Sequence, residues 1–595
     1  MKEWLPRLLW TPAIVATLFV LGLLVITVAM RLTYPYDLEW MEGGVLVHAW
    51  RIQHGMPIYG APNLDFISFV YPPGYPVLLA ALGTALGLAP SVGRAISVSA
   101  SIFAAGTIAW IVGRHSQSAH RWLVGGLVGA IFLGSWPHSG GFMDLVRPDA
   151  LALALLLLST ALALERKPAL IVAAGAALFA AFVVKQHAAA WGVPLVVLIG
   201  WRSGWRDALR FALPSAIAGL IFTVALSVWT DAHYWNYLFV IPRTHPMVAV
   251  RGWPGVAWEW GAAFPVAAPF IALWALENSS RGLTRRTRWL LCAAAGVLAV
   301  VTALLLSQSG TGSSWSNIGE WLGTAQPASR GIQARNAAVS AIGTGAIALL
   351  VGSFFIGLCS GAWRRWRWSG TVAVFVVTAS VCAIMRAHQG GYTNVLMPLH
   401  ALTATLFGLA IADLLARRVL SRPVLITALA LCLCGQSLSQ ASALVSVNHT
   451  EIDWPWDRWA PSQQDRAVGD RLVARLAEVQ GPVWSPYAPW LPVLAGHRPS
   501  SHLIALWDVD TTRHPTGPYQ DARATYLRAA SEKHWGAVLG AQRRLGYGIE
   551  DNYPHVQRIY ALPGTFRVPS GWPVRPIVLR TPEAPRGLPL APSGR

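Results

Sequence analysis

Apolar runs of roughly twenty residues, separated by short arginine-rich breaks, recur from Leu8 to Val445. A run of that length matches a helix crossing a hydrocarbon core about 30 Å thick. Only helices and closed barrels satisfy their backbone polar groups in lipid, so many such runs in one chain predict a helical membrane bundle. Composition agrees, at 54% hydrophobic and 12% charged, against about 25% charged for ordinary soluble domains. The net charge of +19 does not point to nucleic acid. The arginines cluster between apolar runs, the pattern that holds loops on the cytoplasmic side.

The five cysteines, Cys292, Cys359, Cys382, Cys432 and Cys434, lie in or beside apolar runs. They read as small apolar side chains, with no disulfide framework and no metal-ligand spacing. The first run, Leu8 to Met30, is too long for a signal-peptide core and reads as a retained helix with its N-terminus inside.

Loop charges then fix the sides. The run Tyr75–Leu88 is short and rich in Gly and Pro. If it crossed, every later basic loop would fall outside; if it only dips into the interface, those loops fall inside. The second arrangement gives about thirteen spans, including Gly261–Leu276 and Trp289–Leu306, with the N-terminus inside and the C-terminus outside. No internal repeat is visible, which gives an inverted-repeat transporter no support. The expected organisation is a transmembrane catalytic module over 1–446, an extracytoplasmic α/β domain over 447–579, and a disordered tail over 580–595. Residues 31–91 form the first outer loop with juxtamembrane helices. In the outer domain, DRAVGDRLVARLAEV has helical spacing, and PVWSPY, WGAVLG and VQRIYAL read as short buried strands bounded by turn residues. The fold class is mainly α: a polytopic helical bundle with a small α/β domain, in a bacterial-type plasma (inner) membrane.

The first outer loop carries the densest chemistry. Asp37, Glu39 and Glu42 fall within six residues, followed by His48, Arg51 and His54, then Tyr71-Pro72-Pro73. Glu39 and Glu42 share a face if that segment is helical. The same side of the membrane collects Asp144, Arg147, Asp149, Lys185, His187, Arg386 and His388, whereas the opposite side carries mostly arginine clusters. Ionisable groups beside a membrane bundle mark pathways or sites. Structural roles stand beside that reading. Asp149 follows Pro148 at a helix start, where a carboxylate suits the dipole. Lys185 and Arg386 suit helix C-terminal ends. The acidic turn is solvated on the bland view, and the histidines are ordinary surface or satisfied residues.

The chemistry that fits is transfer of a group from a lipid phosphate. A carboxylate takes the acceptor's proton, and cations stabilise the departing phosphate. Asp37 and Glu39 are the catalytic candidates. Glu42, Tyr71, Arg147, Asp149, Lys185, His187, Arg386 and His388 are the substrate-binding candidates. No phosphate-binding loop, dinucleotide fingerprint or zinc-protease motif appears in a confirming context. A transporter or flippase, and a polymerase or ligase of lipid-linked sugars, are the alternative classes.

The Asp37-Leu38-Glu39 stretch after an outward first helix, the aromatic Tyr71-Pro72-Pro73 segment and Arg147-Pro148-Asp149 together resemble the GT-C-type membrane glycosyltransferases. The branch is similar to glycosyltransferase family 39, which includes protein O-mannosyltransferases and the aminoarabinose transferase of lipid A. The resemblance is best over Leu8 to Gly200. Family members usually carry adjacent acidic residues where Leu38 intervenes here, and often a basic residue where Tyr71 stands. The resemblance implies a polyprenyl-phosphate-linked sugar donor, transfer to a glycan, lipid or protein acceptor on the outer face, and inversion at the anomeric carbon. Some relatives hold a divalent metal ion near the acidic site. Glu42, His48 and His54 are the nearest donors for one here, without the spacing of a coordination set. No cofactor is otherwise implied, and the expected partners are lipid-linked sugar and membrane lipids.

Overall fold

A computed structural model describes residues 8–280, 330–360, 369–417, 421–447, 452–510, 519–540, 545–559 and 574–584, with isolated positions between 284 and 297 and at 566 and 568. The expected span Trp289–Leu306 and residues 585–595 lie outside that set.

The first half of the chain is a succession of apolar helices: α1 (Thr11–Leu32), α2 (Glu42–Gln53), α3 (Gly74–Leu86), α4 (Pro90–His115), α5 (Arg121–Gly134), α6 (Asp149–Leu164), α7 (Pro168–Val184), α8 (Gly192–Ser203) and α9 (Trp205–Trp229). There follow α10 (Trp253–Ala263), α11 (Ala267–Ser279), α12 (Arg330–Ser360), α13 (Ser369–Ala387), α14 (Met397–Arg417) and α15 (Arg422–Leu444). Proline opens several of them, Pro90 and Pro168 among them; its missing N–H costs nothing in the first turn and its fixed φ is already helical. Among the described residues, five helices are long and apolar enough to cross a membrane, and six shorter apolar helices accompany them. The chain is a multi-pass membrane protein.

One expected span takes a different form. Gly261–Leu276 is not one helix: the chain breaks between Ala263 and Ala267 and turns by 105°. Pro265 at the break removes an amide and leaves the neighbouring amides to a side chain, and Gln436 Oε1 of α15 accepts from Ala267 N at 3.1 Å. The run Tyr75–Leu88 forms α3, thirteen residues, about 20 Å long and short of a hydrocarbon core.

Close helix approach fixes the polar end of the bundle. α4 and α5 pack so tightly that a methyl group on Gly125 would meet Ala109 O at 2.5 Å, and one on Gly129 would meet Ala105 O at 2.6 Å. Small residues four apart create that seam. It holds the loop from Trp136 to Pro148 over the start of α6. Ser101 Oγ and Ser97 Oγ of α4 donate to Met143 O at 2.8 Å and Leu145 O at 2.5 Å in that loop.

After α15 the chain builds β1 (Ser446–Val447), β2 (Ile452–Asp453), α16 (Gln463–Ala477), β3 (Val483–Trp484), α17 (Leu503–Asp510), α18 (Ala522–Ser531), β4 (Ala537–Gly540), β5 (His555–Arg558) and β6 (Val578–Thr581). The strands β3-β4-β6-β5 form one sheet, with β3 and β4 parallel and the other pairs antiparallel. Strands form within all three expected segments and the amphipathic helix is present, but β5, expected to be buried, is largely exposed over His555–Arg558. Strand β6 runs to Thr581, so residues 580 and 581 belong to the sheet rather than to a tail. Trp484 and Trp535 stack at 4.8 Å in its core, a packing role for Trp484.

This region sits directly on the acidic loop. Asp470 accepts from Tyr36 Oη at 2.5 Å. Ring nitrogen Nε2 of His502 donates to Trp40 O at 2.6 Å, and Tyr526 Oη donates to Asn63 O at 3.1 Å.

Candidate active site

Arg94 organises the acidic loop. Its guanidinium donates to Glu42 Oε1 at 3.0 Å, Glu42 Oε2 at 2.7 Å, Arg31 O at 2.9 Å, Tyr34 O at 2.5 Å and Tyr36 O at 2.6 Å. Glu42 accepts two further bonds, from Leu38 N at 2.6 Å and Val146 N at 2.8 Å. Burial raises the cost of the Glu42 charge, yet Arg94 and these amides hold its carboxyl below the usual range. Glu42 is therefore consumed in fixing the loop, a correction to its expected role in substrate binding. A second buried pair, Arg31 Nε to Asp144 Oδ2 at 2.6 Å, ties α1 to the loop before α6.

Between these anchors stand the two expected catalytic carboxylates. Asp37 is buried, and neither carboxylate oxygen makes a hydrogen bond of normal geometry. A methyl on Gly43 would meet Asp37 Oδ2 at 2.7 Å and Pro489 at 3.2 Å, so only glycine lets the carboxylate sit there beneath the C-terminal region. Burial and the Glu42 charge push the Asp37 carboxyl well above the usual carboxylate range, against the opposing pull of Arg94. Glu39 is buried too. Its Oε2 accepts from Met41 N at 3.1 Å and from Arg147 Nη1 at 3.2 Å.

From Glu39 the charges alternate. Arg147 Nε lies 3.6 Å from Asp149 Oδ2, and Asp149 Oδ1 accepts from Lys185 Nζ at 2.5 Å and Asn394 Nδ2 at 2.7 Å. Arg147 also donates to Tyr71 Oη at 3.2 Å. Burial opposes the Arg147 charge, but Tyr71, Glu39 and Asp149 hold it protonated more firmly than usual. The expected Tyr71, Arg147, Asp149 and Lys185 thus come together from the first loop, the start of α6 and the end of α7. His187, with an accessible ring, lines a recess with Asp149, Lys185 and Asn394.

Two expected residues are employed elsewhere. Arg386 donates to Glu259 Oε1 at 2.7 Å through Nη2 and to Gly391 O at 2.7 Å through Nη1. This buried pair locks α13 to α10 and corrects the expectation of a phosphate-binding arginine. His388 Nδ1 accepts from Gly390 N at 3.2 Å, which leaves Nε2 to donate to Pro242 O at 3.0 Å.

The metal donors suggested by the resemblance do not converge. His48 Nδ1 donates to Gly44 O at 2.7 Å and Nε2 accepts from Phe69 N at 3.0 Å. His54 stacks on Trp50 at 3.9 Å. With Glu42 held by Arg94, these donors do not fit an ion, and no other group of three or more His, Cys, Asp or Glu gathers among the described residues.

The recess at Lys185 continues into an apolar groove with a cavity volume of about 70 Å³, lined by α4, α6, α8, α13 and α14. Leu153, Leu156, Trp191 and Pro398 belong to both. Along α6 the lining runs from Asp149 to Leu164, about 22 Å at helical rise.

Sequence reasoning missed Arg94, Glu259 and Asn394. Arg94 and Glu259 were detectable as charges within apolar segments, a recurrent mark of structural or functional pairing. Asn394 carries no such signal.

No family model and no curated protein matches the sequence. Solved structures similar to the chain include two of one protein. One is ArnT from Cupriavidus metallidurans in the apo state, with TM-score 0.43 and 13% identity over 95% of this chain and 97% of that one. The other is the same protein bound to undecaprenyl phosphate, with TM-score 0.41 and 12% identity over 95% and 97%.

Proposed function

We propose that the chain is an integral membrane glycosyltransferase that moves a sugar from a polyprenyl-phosphate donor to an acceptor on the extracytoplasmic face, with inversion. The observation that carries this reading is the junction at Lys185. A buried ammonium and a neighbouring guanidinium stand at the head of an apolar groove about 22 Å long, which suits a phosphate on a long hydrocarbon tail. Lys185 and Arg147 take the charge that develops on the leaving phosphate. Asp37 and Glu39 form the carboxylate side. Asp37, kept proton-avid by burial, accepts the acceptor's proton as the new glycosidic bond forms and the C–O bond to phosphate breaks. The recess is closed over both carboxylates, so the donor enters with displacement of the C-terminal cover at Pro489.

Positive-inside charge supports an extracytoplasmic position for this end of the bundle, where no nucleotide sugar is required. Mass spectrometry of envelope glycans and lipid-linked sugars tests the reading in cells with the gene, without it, and with Lys185→Met. Loss of one glycan modification and accumulation of its lipid-linked sugar in the last two strains is expected. Identical profiles in all three would refute the assignment.

A further inference from the structure

The groove fixes the direction of a bound donor. With the tail along α6 and the phosphate at Lys185, the sugar projects away from the membrane core. Beyond Met385, which lines the recess, the chain sets a second polar cluster. Tyr71 feels the charges of Arg147, Lys185, Asp149 and Asp508, and His187 those of Lys185 and His388. The His388 and His245 rings lie 5.2 Å apart, and His245 Nε2 is 3.6 Å from Asp508 Oδ1 and 3.4 Å from Asp508 O. The His245–Asp508 contact joins the membrane bundle to α17 of the C-terminal region.

Three separate segments build this cluster. His245 follows the short helix Ile241–Thr244, and His388 follows α13. A backbone bridge joins Met247 to His388, with Val248 N donating to Ala387 O at 2.6 Å. His388 spends both ring nitrogens on backbone groups and acts as a spacer. His245 does not: among the described residues its Nδ1 has no hydrogen bond. The Asp508 side chain is 15% accessible and that of His245 7%, enough to meet a ligand edge without being open surface.

We propose that His245 and Asp508 form the subsite that reads the hydroxyl groups of the transferred sugar. The proposal rests on the donor reading above. Adjacent hydroxyls need groups that both donate and accept at short spacing, and an imidazole beside a carboxyl supplies them. Burial pushes the Asp508 carboxyl up to about 8 and lowers the His245 imidazole. Both are then uncharged near neutrality, which suits neutral hydroxyls better than a phosphate or a carboxylate. The C-terminal region thereby acquires a role in donor choice.

The test compares binding of bare undecaprenyl phosphate with undecaprenyl-phosphate-linked mannose, glucose and arabinose to the full-length protein in detergent. Asp508→Asn, Asp508→Glu and His245→Gln are measured alongside, with melting curves to establish folding. Wild type is expected to bind at least one sugar-bearing lipid about 10-fold or more tighter than the bare lipid, the worth of one or two good hydrogen bonds. Asp508→Asn and His245→Gln are expected to erase that increment and leave bare-lipid affinity unchanged. An increment that survives in both variants overturns the subsite, as does its absence in wild type for all three sugars. Failure of wild type to bind any of these lipids, bare or sugar-bearing, instead overturns the donor reading.

Discussion

Glu42 and Arg94 form an ion pair with no accessible side-chain surface on either partner, Nη2 lying 2.7 Å from Oε2. All five guanidinium bonds go to the segment that ends α1 or to the loop carrying Asp37. Breaking such a pair leaves one charge buried without its partner, which costs about 3–5 kcal/mol. Glu42→Gln and Arg94→Leu should each lower the melting temperature in detergent sharply, and the double substitution should cost less than the sum of the two. Additive losses would show that the two side chains act separately.

The carboxylate side separates from the fold. Asp37 has its proton affinity raised by burial. Its ionisation is favourable in the unfolded chain and opposed in the folded one. The native state therefore loses stability as pH rises from the unfolded value of 3.8 toward the raised folded value, and an amide at this position escapes that loss. Asp37→Asn should be at least as stable as wild type at neutral pH, while transfer falls by about 10²- to 10⁴-fold. Glu39→Gln should also lower transfer, with insertion retained. Full activity in both single variants and the double variant would remove these residues from the site.

The cationic side should respond to phosphate. Lys185→Met is expected to weaken undecaprenyl phosphate binding by about 10- to 100-fold, the worth of one charge-assisted hydrogen bond. Lys185→Arg should retain part of the affinity, because the charge stays while the geometry at Asp149 changes. Equal affinity in all three proteins would place the phosphate elsewhere.

The apolar groove should read tail length. Leu156 and Leu402 line it from α6 and α14. In wild type, affinity should rise along a series of polyprenyl phosphates of increasing length, as buried hydrocarbon accumulates. Leu156→Trp and Leu402→Trp fill the groove, and the rise should stop early in both. An unchanged length dependence would mean that the tail lies on another face.

Asp508 gives a pH signature. Its folded value of about 8 stands above the usual 3.8, so the wild-type protein loses stability between those two pH values. Asp508→Asn lacks that loss. The gap in melting temperature between the variant and wild type should widen in the variant's favour from about pH 4 to about pH 8 and then level off. A gap independent of pH would show that the carboxyl titrates normally.

Legibility followed the range of the forces involved. The apolar runs, the amphipathic α16 and the strands β3, β4 and β5 were readable because hydrophobic periodicity and length are local properties. The break between α10 and α11 was not read from hydropathy, since both arms are apolar and Pro265 alone marks the turn. Glu39, Arg147, Asp149 and Lys185 were each singled out, but their order along one chain of contacts was not. Arg386 reads as a phosphate ligand from its loop position alone, because its partner Glu259 is 127 positions away in the chain.

The sequence by itself determined that the chain is a membrane bundle with a polar C-terminal region. Apolar length and loop charge suffice for that, because lipid and membrane asymmetry act on each segment separately. Only the tertiary structure decided which charges are spent on one another and which face the recess. Glu42 and Arg386 went to buried arginine–glutamate pairs, while Lys185 came to the recess at the head of the groove and Asp508 came to His245 from a distant helix. Pairing of buried charges depends on distances of a few ångströms between segments far apart in the chain, and no local pattern encodes those distances.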